Sequence, residues 1–241
     1  MGVNAITSIS DVSANIHPRG SYIGDYRMRT PTIRFVDSGV LDEITAHQPT
    51  LTTEQQVRDY MASAIELAED MAHKGLERLD DVLEPRRKKD KRSAWQNDAV
   101  VTRWFGDDRP TVASIRGVRR RLARIRDRLE STRLTVRLRA QPANHPTRRG
   151  LNHGAGLTPR RFQLYSQWFQ VGLNDEERAA IIVHELLHDR HIDHKVRDDD
   201  GVRKTAYGSR LAQLLAEDKP MQARRNPENF EQFVLDVWLN T

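Results

Sequence analysis

The sequence predicts an α+β domain, and three observations predict it. Apolar residues recur at three- and four-residue spacing in two long stretches. Segments of strand character follow the second stretch, and a further capped, apolar helix follows those strands.

Residues 1–50 carry Gly, Pro and Ser without a sustained period, from Asp11 through Pro18 to Pro31, and are expected to be an irregular lead-in. The domain proper is expected over residues 51–241. Its first helix begins at Thr52 or Thr53, either of which can cap. Gln55 and Gln56 stand at the capping-box position, and Val57, Met61, Ala64, Ile65, Ala68, Met71 and Ala72 form one face. The basic stretch from Pro85 to Arg92 reads as a solvated loop and a linker candidate. The second helix follows Pro110, with Ile115, Val118, Leu122, Ile125 and Leu129 on one stripe. Its other faces are crowded with Arg116, Arg119, Arg120, Arg121, Arg124, Arg126 and Arg128 against only Asp127 and Glu130. Such a helix is either a footprint for phosphates or an exposed surface whose arginines pair with acidic neighbours. Leu134, Val136 and Leu138 then alternate with Arg133, Arg137 and Arg139 as in a half-buried strand. A second strand is expected from Phe162 to Phe169, and the Gly, Asn and Pro content of Gln141 to Pro159 marks a long loop or wide hairpin between them.

Composition narrows the functional classes. No apolar run reaches the roughly 18–20 residues of a bilayer span, and the first residues lack the layout of a secretory signal. The Thr that a myristoylation signal would need falls one place late, at Thr7. The expected location is the cytoplasm, or the exterior by a non-classical route, with no membrane partner. The absence of cysteine excludes disulfides, thiol nucleophiles and thiolate metal sites, so a bound metal must use His, Asp, Glu or Tyr. A net charge of +5 favours acidic partners without demanding nucleic acid.

The chemistry concentrates in one motif. Asn174 can cap a helix with Glu177 at the third position, and Ala179 to Val183 lead into His184-Glu185-Leu186-Leu187-His188. This is HExxH. Spacing of four puts both imidazoles on one helical face, able to grip one Zn²⁺ per chain, with Glu185 beside them to accept a proton from water. A third ligand must follow, from among His191, Asp193, His194, Asp198, Asp199 and Asp200. A metzincin would use His194, but such proteins turn on a Gly where this chain has His191.

Farther on, Tyr207-Gly208, Leu215-Ala216, Pro220, Ala223, Asn226, Asn229-Phe230 and Phe233 resemble the corresponding region of deuterolysin and the peptidyl-Lys metalloendopeptidases, the aspzincins. Trp104-Phe105-Gly106 and the run from Phe162 to Ala179 also resemble that family, so the likeness covers about Thr52 to Thr241. It implies a zincin-like fold, helices on a small mixed sheet, with substrate extended along an edge strand above the active helix. It further implies zinc held by His184, His188 and an Asp, Glu185 as general base, and Tyr207 donating to the oxyanion. The family places its Asp three residues before the Tyr, where this chain has Lys204. Reading Asp198-Asp199-Asp200-Gly201 as part of an insertion leaves Asp193 as the preferred ligand, with Asp198, Asp199, Asp200 and His194 as alternatives. The implied activity is endopeptidase cleavage of proteins or peptides, with bacterial effector or toxin proteases as the analogy. The rival readings are a nucleic-acid-associated protein working through the arginine helix, which is not the expected partner class, and a catalytically inactive zincin serving as a binding module.

Overall fold

The computed structural model describes residues 30–146, 149–151, 161–188 and 194–240. A strand and a short helix, β1 (Thr32–Phe35) and α1 (Val40–His47), come first. They lie in the segment expected to be irregular. Four and eight residues are too few to display a period, yet Ile33, Val40 and Ile44 are all buried in the main core. Glu43 of α1 accepts the Gln141 N–H at 2.8 Å and the Ser166 hydroxyl at 2.6 Å, which ties this helix to the sheet's loops.

The long helix α2 (Glu54–Leu83) starts at Thr53 with the expected capping box to Gln56, and its apolar stripe from Val57 to Val82 is buried. It is the spine on which α5, α6 and α9 pack. At Gly75 the packing is closest: a β-carbon there would lie 2.9 Å from Leu122 and 3.2 Å from Phe233. The basic stretch after Pro85 is only partly a loop, because Lys88 opens α3 (Lys88–Asn97). What pins that polar helix is one residue, Trp95, fully buried with its indole N–H donating to the Gly106 carbonyl at 2.7 Å. Then come α4 (Ala99–Phe105) and the arginine helix α5 (Val112–Leu129), capped by Thr111.

Three strands make the parallel part of the sheet: β1, β2 (Thr135–Arg139) and β4 (Arg161–Tyr165). The two-residue β3 (Gly150–Leu151) pairs antiparallel with β4, giving the order β1-β2-β4-β3 with β3 at the edge. The second predicted strand ends early. From Ser166 to Phe169 the chain tightens into a 3₁₀ turn, which brings Trp168 and Phe169 edge to face at 4.8 Å and buries both.

The remaining elements are α6 (Asp175–Leu187), the antiparallel pair β5 (Lys195–Arg197) and β6 (Arg203–Thr205), α7 (Ser209–Asp218), α8 (Pro220–Ala223) and α9 (Pro227–Leu239). None of the described helices is long and apolar enough to cross a membrane.

Candidate metal centre

The helix carrying HExxH is held at both ends. At its start Asn174 accepts the Glu177 N–H at 2.7 Å, while Glu177 accepts the Asn174 N–H at 3.0 Å. Arg178, almost wholly buried, donates to the carbonyls of Trp168 at 3.3 Å and Gln170 at 2.7 Å, and Trp168 returns a hydrogen bond to the Arg178 carbonyl. At its end Arg128 of α5 donates to the Leu186 carbonyl, satisfying a last-turn acceptor that the helix cannot satisfy itself. Every residue from Arg178 to Leu187 is buried. The helix stops at Leu187, so His188 is its C-cap rather than a helical residue.

Within this apolar surround the two imidazoles converge. Nε2 of His184 and Nε2 of His188 are 2.9 Å apart, with ring centroids at 4.8 Å. Behind His184 stands α9: Nδ1 lies 2.8 Å from a carboxylate oxygen of Glu231 and 3.5 Å from one of Glu228. Burial alone would lower the His184 pKa. The contact and charge of Glu231, with Glu185 and Glu228 adding to it, outweigh burial and raise it to about 9. Glu228 is raised to about 7 by burial and by the charge of Glu231, against the opposing pull of His184. A carboxylate beside Nδ1 is the usual arrangement behind a histidine that turns Nε2 toward a metal.

Neither Glu228 nor Glu231 was among the residues singled out from sequence. Two acids in the first turns of a helix ordinarily read as dipole partners, and only their spacing of three, which gives them one face, hints otherwise. Glu228 also accepts the Gly208 N–H, beside Tyr207. The residues noted for their family likeness locate that segment: the Asn226 amide donates to the carbonyl of Ala206 at 3.4 Å and to Asn229 at 2.7 Å. Asn229 donates in turn to the carbonyls of Trp104 and Ala212. Tyr207, half exposed, lies with its ring stacked on that of His184, centroids 5.9 Å apart and planes 26° from parallel.

Glu185 is buried against the edge strand β3. Of the third-ligand candidates, Asp193 and His191 lie outside the described residues. The chain from Asp198 to Gly201 is the turn joining β5 to β6. Asp198 accepts the N–H groups of Asp200 at 3.1 Å and Val202 at 2.7 Å and pairs with Lys204 at 2.6 Å, while Asp199 pairs with Arg210 at 2.5 Å. His194 is half buried, with its carbonyl accepting from Ala206. Among the described residues, two groups of His and carboxylate atoms lie close enough to hold an ion: His184 with Glu228 and Glu231, and Glu69 with His73 and Glu130 between α2 and the end of α5, where Arg126 lies 3.5 Å from the Glu130 carboxylate.

No protein-family model matches the chain, and a search of curated proteins finds no match. Among solved structures, a zinc peptidase from Grifola frondosa is similar, with a TM-score of 0.52 over 83% of this chain and 97% of that one at 15% identity. The chain therefore shares the α+β fold of a metallopeptidase.

Proposed function

We propose that this protein is a zinc-dependent endopeptidase, with zinc held by His184, His188 and Asp193, Glu185 as general base and Tyr207 as oxyanion donor. The observation that carries the reading is the convergence of the two Nε2 atoms at 2.9 Å with Glu231 behind one of them and the Glu185 carboxyl buried alongside. The donor set, two imidazoles and no sulfur, suits zinc. When bound, zinc supplies Lewis-acid polarisation and brings the acidity of water near neutrality.

The protein's own groups do the rest. Glu231, its carboxylate 2.8 Å from His184 Nδ1, would favour the tautomer whose proton sits on Nδ1 and whose Nε2 is left for the metal. Glu185 takes a proton from the attacking water and delivers it to the leaving amine, its burial keeping competing solvent away. The hydroxyl of Tyr207, a half-exposed residue stacked on His184, donates to the oxygen on which negative charge develops. Strand β3, outermost in the sheet among the described residues, receives an extended peptide by backbone pairing. Asp193 is preferred as third ligand because Asp198 and Asp199 are committed to the β5–β6 turn and its ion pairs. On the resemblance alone, the reading extends to an effector or toxin protease.

The test is elemental analysis of the wild type, His184→Ala, His188→Ala and Asp193→Ala, with a quenched peptide library assayed on the same samples. The expected result is one zinc per wild-type chain, with metal and cleavage lost together in the variants. A folded wild type that takes up no zinc overturns the reading. Zinc retained by Asp193→Ala moves the third ligand elsewhere.

A further inference from the structure

We infer that Gly150 is a positioning residue for Glu185: its missing side chain is the space that the Glu185 carboxyl occupies. The inference rests on the proposed role of Glu185 as the base and adds to it a residue on a different element.

The register of the edge strand sets the direction in which residue 150 faces. Gly150 lies opposite Leu164 and Leu151 opposite Gln163, while the Tyr165 N–H donates to the Arg149 carbonyl at 2.9 Å. Bonds that flank a pair in this way make Gly150 and Leu164 a non-hydrogen-bonded pair, whose side-chain directions are shared. Leu164 is fully buried in the main core, so residue 150 points the same way, toward the helix side of the sheet. The N–H and C=O of Gly150 then turn away from β4.

What residue 150 meets there is Glu185 alone among its three nearest atoms. A β-carbon on Gly150 would overlap Oε1 of Glu185 and stand 2.6 Å from its Cδ and 2.7 Å from its Cγ. Three overlaps, one of them at Cγ, cannot be relieved by turning the carboxylate about its last bond. Either the whole side chain swings, for which 6% exposure leaves little room, or the strand backs away, and both change where the carboxyl sits relative to β3. The bare backbone of β3 is thus a wall that defines where the carboxyl sits, directly beneath the strand edge. A base displaced by about 1 Å loses on the order of 10²-fold in rate.

The experiment is a double-mutant cycle on the full chain, with Gly150→Ala, Glu185→Ala and the pair, read by thermal melting and zinc content. Kinetics are read on Gly150→Ala beside the wild type. Gly150→Ala is expected to keep its zinc, to lower kcat about 10- to 100-fold with KM little changed, and to shift the acid limb of the pH profile. It is expected to lower Tm in the wild-type background and not in Glu185→Ala, where the overlapping atoms are gone. Should Gly150→Ala fail to fold while the double variant folds, the same coupling is shown. Unchanged kcat in folded Gly150→Ala, or an equal loss of Tm in both backgrounds, overturns the inference. A zinc-loaded wild type that cleaves no peptide sinks the peptidase reading instead, and the melting cycle then decides alone whether Gly150 places Glu185.

Discussion

Helices α5 and α6 begin alike and are used in opposite ways. Each has a side-chain N-cap, Thr111 on the Ser114 N–H and Asn174 on the Glu177 N–H, and each buries a run of aliphatic residues. Past that point α5 keeps one apolar stripe and gives its other faces to arginine, whereas α6 is closed over from Arg178 to Leu187. A charge in water costs little, so the arginines of α5 are tolerated wherever they fall. Arg119 pairs with Asp80 at 2.7 Å, Arg126 with Asp127 at 2.6 Å, and Arg128 serves α6, while Arg116, Arg120 and Arg124 form an exposed row. Burying His184 and Glu185 costs several kcal/mol unless each is matched by a partner of opposite demand. Polar groups inside a closed helix therefore say more about function than a larger number of charges on an open one.

Four outcomes would sharpen or break this contrast. The largest effect is expected from Glu185→Gln, which keeps zinc and size but removes the proton acceptor. Peptide cleavage should fall about 10²- to 10⁴-fold in single-turnover assays, and retention of more than half the activity removes Glu185 from the mechanism. Next is Glu231→Gln, which leaves the His184 ring without its charged anchor. Competition with a chromophoric chelator should show zinc affinity about 10- to 100-fold weaker, whereas unchanged affinity makes Glu231 a bystander.

The third concerns the zinc-free protein. Glu228 and His184 both hold their protons more tightly in the folded state, so protonation stabilises the fold. For Glu228 that contribution is complete below its ordinary value of 4.5 and is lost as pH rises through about 7. For His184 it is complete below 6.5 and lost through about 9. The melting temperature of chelator-treated protein should accordingly decline as pH is raised across this interval, and a rising one contradicts the burial of these groups. The smallest effect is expected from replacing Arg116, Arg120 and Arg124 together by Gln. Chemical denaturation should move by no more than about 0.5 kcal/mol per site, with cleavage unaltered. A salt-sensitive affinity of the wild type for nucleic acid that the triple variant lacks would give the row a purpose of its own.

The features legible in the sequence were those written within one turn or one period. The capping boxes at Thr53 and Asn174, the stripes of α2 and α5, the strand at Val136 and the HExxH spacing all depend on neighbours at most four residues away. What stayed hidden depends on distant partners. Glu228 and Glu231 acquire their role only when α9 packs on α6, and Gly150 only when a two-residue strand is laid over Glu185. The start of α3 escaped notice because a single buried tryptophan, rather than a stripe, holds its basic sequence down. Likewise β1 borrows its order from β2, with Thr32 paired to Thr135, and has no pattern long enough to announce itself.

That last pairing bears on how the protein comes into being. Strand β1 must wait for a partner roughly a hundred residues farther along, and contacts of such long range are characteristically late and slow in folding. Strands β3 and β4, by contrast, pair over a short stretch of chain, Gly150 with Leu164, so the edge beside Glu185 depends on nearby residues while β1 depends on remote ones.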